Sequence, residues 1–185
     1  MRALVVYESI FGNTREIASA IAQGVRDAGC SAELVEVSHA PTAIDVFDLV
    51  IVGGPTHAWS MSRASTREGG RKQARALDRT PESSGIGVRE WLAQLVPTPD
   101  QPPVPAATFD TAVKTRWFPV GSAARAEAKA LQHMGHAILE KPEHFYVGDS
   151  AGPLIDGERE RARTWASRIV TAHLDRTAGI EARDA

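Results

Sequence analysis

The stretch Leu4, Val5, Val6, Tyr7, Glu8, Ser9, Ile10, Phe11, Gly12, Asn13, Thr14 runs from an apolar strand, through a polar turn, into a helix predicted over Asn13 to Gly29. A helix start leaves backbone N–H groups without internal partners and carries the positive end of the helix dipole, so it attracts anions. Ser9, Asn13 and Thr14 add short polar side chains, and Gly12 lets the backbone come close to a ligand. No Lys or Arg falls within the loop, and Arg15 is the cation next to it. Such a loop suits a phosphate held by neutral donors. It is equally the place where Asn13 or Thr14 would simply cap the helix.

Outward from this turn, 185 residues with 43% hydrophobic content suffice for one core and one domain, assigned to 1–174 with a tail over 175–185. The net charge of -2, from 21 basic and 23 acidic residues, provides no global field for nucleic acid. Cys30 is the only cysteine, which excludes an internal disulfide and a thiolate metal cluster, and it is expected to be a small buried residue. The first apolar run is too short for a signal peptide or membrane span, so a soluble cytoplasmic protein is expected.

The run Leu4 to Tyr7 does not alternate, as expected of a strand covered on both faces. Ile17, Ala20, Ile21, Val25 and Ala28 follow at helical spacing. Ala32 to Val37 alternates like an edge strand, and Phe47 with Leu49 to Val52 makes a buried third strand ending in Gly53, Gly54 and Pro55. The span from there to a helix near Gly87 far exceeds the roughly 2–6 residues of an ordinary connection. It holds a basic insertion at about 60–84, with Trp59, Met61, Arg63, Arg67, Arg71, Lys72, Arg75 and Arg79, and a short helix over Ser65 to Ala76. It reads either as a solvated excursion or as a lid. Further on, Val88, Trp91, Leu92 and Leu95 form an amphipathic helix, Val104 to Phe109 a fourth strand, Ala124 to Ile138 a helix, and Phe145 to Val147 a fifth strand. Ala162, Trp165, Ala166, Ile169 and Val170 mark the last helix. Trp91 and Trp165 belong to the core by spacing. Alternating strands and helices predict an α/β fold, a doubly wound five-stranded parallel sheet in the order 2-1-3-4-5 with helices on both faces. In that order a ligand sits where the strand sequence reverses, which nominates the loops Ser9 to Thr14, Gly54 to Trp59 and Asp110 to Gly121.

Those loops carry a resemblance to the flavodoxin family, itself the standing example of the switch-point rule, so the placement is the family's. Ser9, Ile10, Phe11, Gly12, Asn13, Thr14 resembles the family's Thr/Ser-x-Thr-Gly-x-Thr phosphate loop, with Phe11 replacing one hydroxyl as in related flavodoxin-like oxidoreductases. Pro55, Thr56, His57, Ala58, Trp59 is similar to the loop that flanks the flavin ring. The segment from Gly152 to Glu158 resembles the entry to the family's last helix. The resemblance implies FMN as cofactor, held at its phosphate by Ser9, Ile10, Phe11, Gly12, Asn13 and Thr14. It implies a flavin ring stacked on Trp59 beside Pro55, Thr56 and His57, with backbone groups of Asp110 and Thr111 at the ring edge and Trp117 as the second aromatic.

It implies in turn electron transfer through non-covalently bound FMN, with a redox partner protein. The alternatives are an NAD(P)H-dependent, FMN-containing oxidoreductase acting on a quinone or similar acceptor, and a cofactor-free regulatory or interaction protein on the same fold. No residue set is assigned to catalysis. His133 and His136 are three apart without a third ligand and read as surface histidines rather than a metal site. A phospho-receiver would need an Asp where Gly53 ends the third strand, and neither a Walker loop nor a hydrolase elbow is present.

Overall fold

A computed structural model describes residues 1–96, 98–99, 101–114 and 121–184. Five strands, β1 (Arg2–Tyr7), β2 (Ser31–Glu36), β3 (Leu49–Pro55), β4 (Ala106–Val113) and β5 (Glu143–Val147), form one parallel sheet in the order β2-β1-β3-β4-β5. The helices are α1 (Asn13–Asp27), α2 (Ala64–Ala76), α3 (Val88–Ala93), α4 (Ala123–His133) and α5 (Glu158–Asp184).

The unalternated run in β1 has the expected cause. Ala3, Val5 and Tyr7 join Leu49, Ile51, Phe109 and Phe145 under α1 and α5, whereas Leu4 and Val6 join Val50, Val52 and the α3 residues Val88, Trp91 and Leu92 on the other face. Phe109, Phe145 and Trp165 meet edge to face at 6.0–6.5 Å between ring centroids, which is the favoured aromatic geometry. β2 lies at the edge, in keeping with its polar alternation. At Gly29, with φ of 80°, the chain leaves α1 and Cys30 N–H bonds back to the Val25 carbonyl.

Several boundaries differ from those expected. Phe47 precedes β3, which ends as expected in Gly53, Gly54 and Pro55, paired with Phe109, Asp110 and Thr111. β4 therefore runs past Phe109 to Val113, so Asp110 and Thr111 are strand residues and not the start of a loop. α4 ends at His133, and Ile138 instead forms a bridge to Ala106. His136 is half-buried, with Nδ1 2.8 Å from the Val104 carbonyl, and is not a surface residue. Cys30 is likewise only half-buried. The backbone after Asp175, expected to fray, continues α5 as a helix to Asp184, over Ala, Arg and Glu residues with high helix propensity.

The long crossover from β3 to α3 is folded against the body of the protein. It starts with a two-residue hairpin, His57 and Ser60 exchanging backbone hydrogen bonds at 2.9 and 3.0 Å. It continues into α2, whose start is held by Thr66 Oγ1 accepting the Arg63 N–H at 2.9 Å. Its return leg is stitched to the first loop: Ser83 N–H donates to the Ser9 carbonyl at 2.7 Å, Glu82 N–H to that of Ile10 at 3.2 Å, and Ser9 N–H to Ser83 Oγ at 2.9 Å. No helix among the described residues is long and apolar enough to cross a membrane.

Candidate functional site

At the C-terminal ends of β1, β3 and β4 lies a cleft of about 400 Å³. The first loop forms its floor with Ser9, Ile10, Phe11, Asn13 and Thr14, and Pro55, Thr56 and His57 form one side. Thr111, Ala112 and Val113 close the β4 side, and Thr66, Gly70 and Gln73 of α2 form a wall.

The first loop leads into α1 without a side-chain cap. Gly12 is the N-cap residue, at a φ of 93° that a side chain would strain, and no side chain bonds the first turn. Ser9 Oγ accepts the Gly12 N–H at 3.1 Å. Among the described residues no acceptor reaches the N–H groups of Ile10, Phe11, Asn13, Thr14 or Arg15, which would normally be satisfied when folded away from water. The residues that could have capped the helix are used otherwise. Thr14 Oγ1 pairs with Thr111 Oγ1 at 2.7 Å, and the Asn13 amide packs on Gly152, where a Cβ would lie 2.5 Å from Asn13 Oδ1. Simple capping is thus excluded, and the donor set fits an anion such as a phosphate ester. Arg15 is held by Glu82 at 3.4 Å, so its charge is compensated beside the loop.

On the second loop, Thr56 Oγ1 donates to Asp110 Oδ2 at 2.9 Å and accepts the Ala123 N–H at 3.0 Å. His57 lines the cleft, and burial, with a further contribution from Arg67, lowers its pKa and favours the neutral imidazole. Ala58 and Trp59, at φ of 44° and 67°, form a left-handed turn that Asn and Gly ordinarily occupy. Trp59 is 71% exposed and does not line the cleft; Gly121 packs against its backbone. Trp117 lies outside the described residues.

Asp110 is fully buried, and its side chain is spent on the protein. Oδ2 accepts from Thr56, from Ser122 Oγ at 2.8 Å and from Ala124 N–H at 3.1 Å, and Oδ1 meets His144 Nδ1 at 2.8 Å. It joins the second loop, the start of α4 and β5 into one frame around the cleft. The Thr111 carbonyl is likewise taken by Thr56 N–H, at 2.9 Å.

Sequence reasoning missed two buried acids below the cleft. Glu8 Oε2 accepts from Ser62 Oγ at 2.8 Å and from Val88 N–H at 3.0 Å, and Arg67 Nη1 reaches the same Ser62 hydroxyl at 2.9 Å. Arg67 also pairs with Glu90 at 3.0 Å, so α2 is anchored to α3 and, through Ser62, to Glu8 just before the first loop. Glu127 is fully buried, and neither carboxyl oxygen is hydrogen-bonded among the described residues. Burial, reinforced by Asp110 and Glu8, pushes its pKa well up and favours the neutral carboxyl. A clue was available, since Glu127 lies on the apolar stripe of α4 with Ala124, Ala128 and Leu131. α2 itself is fastened across the cleft by Gln73 Nε2 to Ser150 Oγ at 3.1 Å and by Arg79 Nη1 to the Ala151 carbonyl at 2.8 Å.

A parallel sheet in this order, with a cleft at its switch point, defines a flavodoxin-like fold. Residues 4–67 match the sequence model of a flavodoxin domain family, which confirms the resemblance over the first loop and the start of α2. In solved structures, the chain is similar to a flavodoxin from the domain Archaea, at 18% identity and a TM-score of 0.62, over 93% of this chain and 98% of that one. It is similar to flavodoxin 1 of Bacillus cereus at 17% identity and a TM-score of 0.64, over 92% of this chain and 98% of that one. It also resembles part of the flavodiiron protein of Giardia intestinalis, at 17% identity and a TM-score of 0.57, over 92% of this chain and 35% of that one. Likeness at these identities establishes the fold. Among curated proteins, no sequence matches this chain.

Proposed function

We propose that this chain binds FMN non-covalently in the cleft and serves in one-electron transfer to a redox partner protein. The observation that carries this reading is the start of α1, where N–H groups without acceptors among the described residues open onto a cleft of about 400 Å³, within the roughly 300–1,000 Å³ usual for cofactor sites. When bound, FMN supplies the redox chemistry.

The chain's own residues supply grip and orientation. The free amides of Ile10, Phe11, Asn13 and Thr14 donate to the phosphate, with the Ser9 hydroxyl beside them. The shared Thr14 and Thr111 hydroxyls tie that loop to β4. Pro55, Thr56 and His57 bound the ring side of the cleft, with His57 neutral and able to donate or accept one hydrogen bond. Asp110 acts through its partners, keeping Thr56 and the α4 start in place, and is a positioning residue. Trp59, at the tip of its turn, stacks on the ring only if that turn folds inward.

Titration of the flavin-free protein with FMN, followed by quenching of flavin fluorescence, tests the proposal. Stoichiometric quenching is expected. Unquenched fluorescence at saturating protein would remove the cofactor and leave a regulatory or interaction protein on this fold.

A further inference from the structure

We propose that the outward face of α2 is a docking surface for a protein that presents an acidic face, the reverse of the polarity expected if this chain were itself the acidic partner. The electron such a partner would exchange rests on the flavin reading above, whereas the docking does not.

The charge is unevenly placed. Arg63, Arg67, Arg71, Lys72, Arg75 and Arg79 stand against Glu68, Asp78 and Glu82 in residues 63–82, although the chain as a whole is at -2, so the remainder is net acidic. Elsewhere the arginines are largely consumed by internal ion pairs: Arg2 with Glu33, Arg159 with Glu16, Arg161 with Glu143 and Glu158, and Arg163 with Asp27. On α2, among the described residues, Arg67 alone is used in this way, and it is buried. Lys72 and Arg75, exposed and three residues apart, pair with no carboxylate among the described residues, and exposed Glu68 reaches neither. Arg71 and Arg79 bond to neutral acceptors, the carbonyls of Gly85 and Ala151, which orient the guanidinium groups but leave their charge uncompensated.

Position adds to charge. The inner side of α2 lines the cleft through Thr66, Gly70 and Gln73, so a protein seated on the outer side lies about one helix diameter, ~10 Å, from the proposed cofactor. Exposed apolar side chains flank α2, Trp59 at 71% before it and Leu77 at 50% directly after it, and aromatic and arginine side chains are those that protein interfaces favour. Complementary charge steers and aligns such an encounter. Nucleic acid fits less well, because a helix of 13 residues spans only about 20 Å and the rest of the chain repels a polyanion.

Calorimetric titration of the FMN-loaded protein tests this, with a plant-type ferredoxin as the acidic probe, cytochrome c as the basic one and a DNA oligonucleotide as the polyanion, each at low and high salt. Ferredoxin is expected to bind in preference to the other two and to weaken as salt rises. The double variant Lys72→Glu, Arg75→Glu is expected to lose about tenfold in ferredoxin affinity at low salt with FMN affinity unchanged. Preference for cytochrome c or DNA, salt-independent binding, an unaffected double variant, or self-association that the double variant abolishes would overturn the proposal. Repeating the ferredoxin titration on flavin-free protein separates the two readings: binding there supports docking even if FMN fails to bind.

Discussion

Asp110 and His144 are joined across neighbouring strands, Oδ1 to Nδ1 at 2.8 Å, while the other Asp110 oxygen collects three donors from the loops above. The hydrogen bond to Asp110 raises the His144 pKa against the opposing effect of burial. A raised folded-state pKa adds stability that is complete below the ordinary histidine value near 6.5 and fades as pH rises through the folded value. Urea denaturation across mildly acidic to mildly alkaline pH is expected to show a loss of about 1 kcal/mol, absent in His144→Gln. An identical profile in the variant would show that the pair does not titrate in this range.

Asp110→Ala leaves the hydroxyls of Thr56 and Ser122 and the Ala124 N–H without their acceptor. A cost of about 3 kcal/mol or more is expected, since each orphaned buried donor costs roughly 1–3 kcal/mol. The midpoint of urea unfolding reads this. A change within experimental scatter would mean that the loops repack without the hub.

Glu127 has the opposite relation to pH. Its raised pKa means that the unfolded chain ionises first as pH rises above about 4.5, so stability falls through that range up to the folded value. Glu127→Gln keeps the shape, removes the proton and is expected to stabilise the protein at neutral pH by on the order of 1 kcal/mol or more. Chemical denaturation of wild type and variant at acidic and neutral pH checks this: the curves should converge at the acidic end and separate at the neutral one.

The turn at Ala58 and Trp59 stores backbone strain. Ala58→Asn, which tolerates the left-handed region better, is expected to gain about 0.5–1 kcal/mol while keeping the Trp59 side chain. No gain in thermal unfolding midpoint would indicate that the turn is not left-handed in solution.

Thr14→Val removes the hydroxyl shared with Thr111 while preserving volume. FMN affinity, read by fluorescence quenching, is expected to fall about tenfold, the worth of one hydrogen bond, with Gly12 and the loop amides still in place. Unchanged affinity would mean that the loop amides keep their positions without the tie to β4.

The strands, the helices and their alternation were legible in the chain because they follow from local signals, unalternated runs at Leu4 to Tyr7 and Leu49 to Val52, helical stripes between them, and Gly29 ending α1, and the strand order came with the doubly wound class they imply. The first loop was legible for the same reason, its donors being neighbours in sequence. The role of Asp110 was not, because it depends on Thr56, Ser122 and His144, brought together only by strand register. Whether the basic crossover lay free in solvent or closed on the body also escaped local reading, since Arg67, Gln73, Arg79 and Ser83 find their partners at Glu90, Ser150, Ala151 and Ser9.

Periodicity and turn chemistry, properties of residues a few positions apart, were enough to define five parallel strands and an anion-friendly helix start. Long-range packing alone decided that Thr14 bonds to Thr111 instead of capping its own helix, that Glu127 is buried without a partner, and that α2 walls the cleft. These outcomes turn on competition for hydrogen bonds and burial between segments tens of residues apart, which no local window contains.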